Sequence, residues 1–209
     1  MIISPKWDYC MKELFRNPVI RKYFISVVLN IPVEMIRSTR LLNTYLWRRY
    51  RYQKQGILDV LVELNDDTKI NIELQVKAVR NWDKRQLFYL GKMISFGRSY
   101  DVMKRCVAIS ILDFNLTEDK QYHKTYLLRD EEGRLFSNLL ELHVIELNKV
   151  LMGQNIDEWI RFFNIKTEGE LDMLRMQTNN AGGDTDKVAQ LDDPEVLLAM
   201  QRKYGMINL

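Results

Sequence analysis

The stretch GILDVLVELNDDTKINIELQV, residues 56–76, constrains this chain more than any other. Two aliphatic-rich runs flank the polar NDD, the pattern of two antiparallel strands joined by a short turn. A three-residue turn at 65–67, centred on Asp66, sets the register. Leu64 then faces Thr68, Val62 faces Ile70, Val60 faces Ile72 and Leu58 faces Leu74. Side chains alternate with period two, so all eight lie on one side, a core face. A slip of one residue would scatter them.

The other side of the same hairpin is unusual. Glu63 faces Lys69, a favourable cross-strand pair, and Leu61 faces Asn71. Asp59 then faces Glu73, with Gln75 diagonal to Asp59. Directly opposed Cβ atoms lie about 4.5–5.5 Å apart, so two facing carboxylates repel unless something compensates. A divalent cation would do so. Two carboxylates, a backbone carbonyl and waters suit Mg²⁺. Such residues also suit a solvated outer face, and spacing alone leaves both readings open.

The rest of the chain predicts an α/β (α+β) domain. Ser4-Pro5 and Asn17-Pro18 are start signals for helices over roughly 5–16 and 18–29, and Pro32 ends the second. After the hairpin, DKRQLFYLGKMISFGRSY reads as a helix with an apolar stripe of Leu87, Leu90 and Ile94. RCVAISILDF, YHKTYLLRD and ELHVIEL read as three strands, with DEEGRLFS as the turn between the last two. DEWIRFF and EGELDMLRMQ read as helical, NNAGGDTD (179–186) as a linker, and DDPEVLLAMQRKYG as a short capped helix. A mixed sheet flanked by helices is the natural packing.

Formal net charge is only +3 against 31 Lys and Arg, so a nucleic-acid surface must come from local clustering. The run WRRYRYQK interleaves Arg48, Arg49 and Arg51 with aromatics, which suits phosphate contact plus stacking or simply a solvated edge. Arg85 and Tyr89 are one helical turn apart with Lys92 near them, a set able to hold a phosphate or to pack a helix on the sheet. The two cysteines, Cys10 and Cys106, read as buried residues, and the two histidines, His123 and His143, as structural. No signal peptide and no membrane span are expected.

Asp followed about fourteen residues later by Glu-x-Gln across a hairpin, here LDV then IELQ, resembles the PD-(D/E)XK nuclease superfamily. DYCMKELF, KRQLFY, GRSYDVMKRCVAISILDF, YHKTYLL and IELNKV are similar, in order, to the recombination-promoting nuclease and transposase branch of it. The resemblance covers roughly residues 5–165. It implies a restriction-endonuclease-like fold over 1–165, followed by a helical C-terminal tail over 166–209.

The resemblance also implies a function: Mg²⁺-dependent cleavage of double-stranded DNA, with Mn²⁺ or Ca²⁺ as substitutes in binding. Asp59, Glu73 and the Leu74 carbonyl would hold the metal. Gln75, where the superfamily has lysine, would orient water or phosphate through its amide. Asp8 would assist a metal-bound water, although Asp8 and Lys12 also suit a plain helical ion pair. Arg85, Tyr89 and Lys92 would contact DNA. The expected setting is the nucleoid in the cytoplasm, with a homodimer as one assembly and a role tied to recombination or mobile elements. The alternative is a DNA-binding accessory protein that keeps the nuclease fold with little activity.

Overall fold

A computed structural model of the protein describes residues 4–46, 56–94, 99–167, 169–170 and 172–174. Arg48, Arg49 and Arg51, the 179–186 linker and the last expected helix lie outside the described residues. The chain divides into two compact units: residues 1–36 with those from 151 onward, and residues 37–150.

The first unit is helical. Helix α1 spans Asp8–Leu14, shorter than the expected 5–16 because Ser4 and Pro5 form a turn before it. Helix α2 spans Pro18–Leu29 as its start signal predicts. The Asn17 side chain accepts from the Val19 and Ile20 amides, and Asn30 closes the helix in the left-handed region at φ 51°. Arg21 is buried and donates to the Phe15 carbonyl at 2.7 Å, which satisfies the end of α1. Helix α4, Asp157–Asn164, contributes Trp159 and Phe163, whose rings lie 5.0 and 6.3 Å from that of Phe24. The core of this unit is therefore an aromatic cluster drawn from both ends of its sequence.

The second unit is built on a six-stranded mixed sheet with order β1-β4-β5-β6-β8-β7. Its strands are β1 (Thr39–Leu41), β4 (Val60–Leu64), β5 (Lys69–Gln75), β6 (Cys106–Leu112), β7 (His123–Arg129) and β8 (Leu135–Glu146). Short strands β2 (Tyr45–Leu46) and β3 (Gly56–Ile57) pair separately. The β4–β5 register is the expected one, from Val60–Ile72 to Glu63–Lys69. Asp67 takes φ 63° at the end of the turn, the left-handed position that three-residue hairpin loops use. Strands β5, β6 and β8 run parallel, joined first by helix α3, Trp82–Met93. Every residue of β6 is buried, as fits a central strand covered on both faces.

Three expectations shift. The β4–β5 ladder stops at Val60, Asp59 sits at a bend just outside it, and Leu58 joins Leu61 and Tyr89 in one cluster. The bend breaks the alternation, so Leu58 does not continue the core face with Leu74. In α3 the buried positions are Trp82, Gln86, Tyr89, Leu90 and Met93, whereas Leu87 is 64% exposed. A polar residue on the buried stripe hid its phase. Strand β8 begins at Leu135, inside the expected turn, because Leu135 and Ser137 pair with Arg129 and Leu128. Only residues 130–134 are left to turn the chain, with Gly133 at φ 81°.

Candidate active site

Strand β5 carries Asn71, Glu73 and Gln75 on the face that α3 covers. Period-two alternation puts them there together, and Ser110 of β6 stands in register with Glu73. This is not a solvated outer face. Glu73 is 3% exposed, and Asn71, Gln86 and Ser110 are equally buried.

A buried carboxylate needs a partner, because desolvation disfavours its charge. Glu73 has two partners, both from the first turns of α3. A guanidinium nitrogen of Arg85 lies 2.5 Å from one oxygen, and Gln86 Nε2 donates to the other at 3.0 Å. Arg85 also donates through Nε to the Tyr89 hydroxyl at 3.0 Å and through Nη1 to Gln75 Oε1 at 3.4 Å. Its guanidinium carbon stands 5.3 Å from the Tyr89 ring centre.

Asp59 belongs to the same electrostatic group. Burial alone would lower the Arg85 pKa, but Glu73, Tyr89 and Asp59 outweigh burial and hold it above its ordinary value. The Tyr89 hydroxyl is pushed up, chiefly by burial; Arg85 opposes this, and Glu73 and Asp59 add to it. The structure therefore brings Glu73, Gln75 and Tyr89 around the Arg85 guanidinium, on which Asp59 also acts electrostatically.

The Leu74 carbonyl is a backbone oxygen next to Glu73 in sequence, and its direction follows from the ladder. Thr68 O accepts from Leu64 across the hairpin, while Lys69 N and Gln75 O bond on the β6 side. Ladder groups alternate along a strand, so the Leu74 carbonyl is aimed at the β4 side, where β4 has already bent away. Among the described residues no three His, Cys, Asp or Glu side chains gather into a ready-made metal cage. The donors present, two carboxylates and a carbonyl, are the hard oxygen type that suits Mg²⁺. Gln86 Oε1, buried without a hydrogen-bond partner among the described residues, is a further oxygen beside Glu73.

Asp8 is on α1, in the helical unit, paired with Lys12 at 2.8 Å. Lys92 lies seven residues beyond Arg85, about 10 Å along the helix axis, with its ammonium 5.8 Å from the Phe88 ring centre. His123 and His143 are structural: their ring nitrogens meet at 2.9 Å, and His143 reaches Glu141 at 2.7 Å. Both cysteines are free and buried, and burial pushes the Cys106 thiol up to about 11. No described helix is long and apolar enough to cross a membrane.

Gln86 is the residue that sequence reasoning missed. Its spacing from Trp82, Leu90 and Met93, all on one helical stripe, could have marked it as facing the sheet.

A family model described as PD-(D/E)XK nuclease family transposase matches residues 5–189, beyond the 5–165 that the motifs cover. Comparison with curated proteins and with solved structures returns no match. The mixed six-stranded sheet with flanking helices agrees with the restriction-endonuclease-like architecture of that family. On this match, over most of its length, the chain belongs to the PD-(D/E)XK nuclease family transposases.

Proposed function

We propose that the protein is a divalent-metal-dependent endonuclease that hydrolyses phosphodiester bonds of double-stranded DNA in recombination or mobile-element movement. The observation that carries this reading is the buried Glu73 carboxylate paired with the Arg85 guanidinium, with Gln75 in contact with that guanidinium and Asp59 acting on it electrostatically. Carboxylates that act on one guanidinium are oxygen donors of the type a divalent cation takes, and nuclease-family membership supports DNA as the substrate.

Asp59, Glu73 and the Leu74 carbonyl hold Mg²⁺, with Mn²⁺ or Ca²⁺ as binding substitutes. When bound, the ion supplies Lewis-acid polarisation of the phosphodiester and neutralises charge on the leaving oxygen. Gln75 orients water or a phosphate oxygen through its amide, without the positive charge of a lysine. Arg85 and Tyr89 hold the scissile phosphate, while Lys92 and the Arg48, Arg49 and Arg51 run contact the DNA backbone. The protein works at the nucleoid, and a homodimer would present two sites to a duplex.

Nicking of supercoiled plasmid tests this. The wild type should nick in Mg²⁺ and not in EDTA, and Asp59→Asn and Glu73→Gln should each lose nicking while duplex affinity stays within a few fold. Nicking by either purified variant at the wild-type rate sinks the assignment. Full duplex binding with no nicking by the wild type in Mg²⁺ or Mn²⁺ would favour the accessory-protein reading.

A further inference from the structure

We propose that Arg85 is a movable counter-cation, which pairs with Glu73 while the site lacks metal and transfers to a phosphate of the DNA when a divalent cation enters. This couples metal binding to DNA binding through one side chain, and it rests on the metal-site reading above.

The Arg85 guanidinium lies 2.5 Å from one Glu73 oxygen, and Asp59 acts on the same guanidinium electrostatically. Glu73, 3% exposed, has little water to stabilise its charge, so the guanidinium is its near counter-charge. A divalent ion held by Glu73 brings a second, stronger cation to the same carboxylate. A guanidinium 2.5 Å from Glu73 then faces a cation across the same carboxylate, and that repulsion favours its departure.

Arg85 is placed to leave without being lost. Its other contacts are neutral: the Tyr89 hydroxyl at 3.0 Å and Gln75 Oε1 at a long 3.4 Å. Its side chain is 34% exposed, so the fork can reach an anion in solvent. Two parallel N–H groups match phosphodiester oxygens, a fit that lysine lacks. Glu73 stays in place through Gln86, which holds the other oxygen at 3.0 Å. A phosphate that takes up Arg85 thus removes the competitor for Glu73, and by linkage the metal raises DNA affinity by the same factor.

Calorimetric titration of the full chain with Mn²⁺ tests this without any turnover. Arg85→Gln should bind Mn²⁺ about 5-fold or more tightly than wild type when no DNA is present. Arg85→Lys, which keeps the charge, should stay near wild type. In the wild type itself, Ca²⁺ should raise affinity for a 30-base-pair duplex by about 5-fold or more, and in Arg85→Gln that gain should shrink toward none. Equal or weaker Mn²⁺ binding by Arg85→Gln overturns the proposal. So does independence of metal and duplex binding in the wild type, a measurement that stands even if a variant fails to fold. Absence of Mn²⁺ binding by wild type and variants alike would instead remove the metal site, and the proposal with it.

Discussion

Gln86 shows how one polar residue on a buried stripe can set the state of its neighbour. Its amide nitrogen donates to Glu73, whereas its oxygen lacks a hydrogen-bond partner. Gln86→Leu removes a charge-assisted hydrogen bond but also removes an orphaned oxygen, so a net loss on the order of 1 kcal/mol is expected. Gln86→Glu puts a second carboxylate against Glu73 and should cost more than Gln86→Leu. Urea denaturation in EDTA gives the order of the two. A Gln86→Glu variant as stable as Gln86→Leu would mean that the amide does not hold Glu73.

At the scale of elements, the β7–β8 pair carries its own acid sensitivity. His123 meets His143 across the two strands, and Glu141 holds His143 from the other side with Arg105 as a second partner. Burial first, and the facing His143 second, hold the His123 imidazole down at about 4. Glu141 is held at about 2: burial opposes this, but His143 and Arg105 outweigh it. Both folded values are depressed, so both contributions fall away with acid. An unfolded chain protonates His123 near its ordinary value of 6.5, whereas the folded chain resists until about 4. The contribution of His123 is therefore complete above 6.5 and is lost as pH falls toward 4. Between pH 7 and 5 it amounts to at most about 2 kcal/mol. Urea denaturation at the two pH values should show that loss, and His123→Gln should flatten it. An unchanged pH slope in His123→Gln would place the sensitivity elsewhere.

For the whole molecule, the helical unit draws on both ends of the described chain. Phe24 on α2 packs against Trp159 and Phe163 on α4, so α1 and α2 alone would expose a large aromatic surface. A chain ending at residue 150 should lose the helical circular dichroism of α1 and α2. A chain ending at 165 keeps α4 and should retain that signal. Retention of the signal by the shorter chain would show that α1 and α2 fold without α4. The longer chain is also the expected nuclease domain, 1–165, and its nicking in Mg²⁺ would bear on that boundary directly.

Local pattern determined a good deal of this protein. The hairpin register follows from period-two alternation across a three-residue turn, because a one-residue slip would put every aliphatic side chain on the wrong face. Helix α2 follows from Asn17, Pro18 and Asn30, each acting on backbone within a few residues of itself. The fixed periods of strand and helix put Glu73 with Gln75 on one strand face and Arg85 with Tyr89 one helical turn apart, while their nearness to each other was implied only by the family resemblance. Three things needed the tertiary structure. The bend at Asp59 depends on where β4 leaves β5, and no local signal marks it. The burial of Glu73 depends on α3 lying over that face, and Gln86 was hidden because hydrophobic periodicity cannot see a polar residue that faces inward. The choice of Arg85 as the partner of Glu73 is a matter of distance in space: the two are twelve residues apart in sequence, and only the crossover from β5 into α3 brings the guanidinium within 2.5 Å of the carboxylate that the same helix buries.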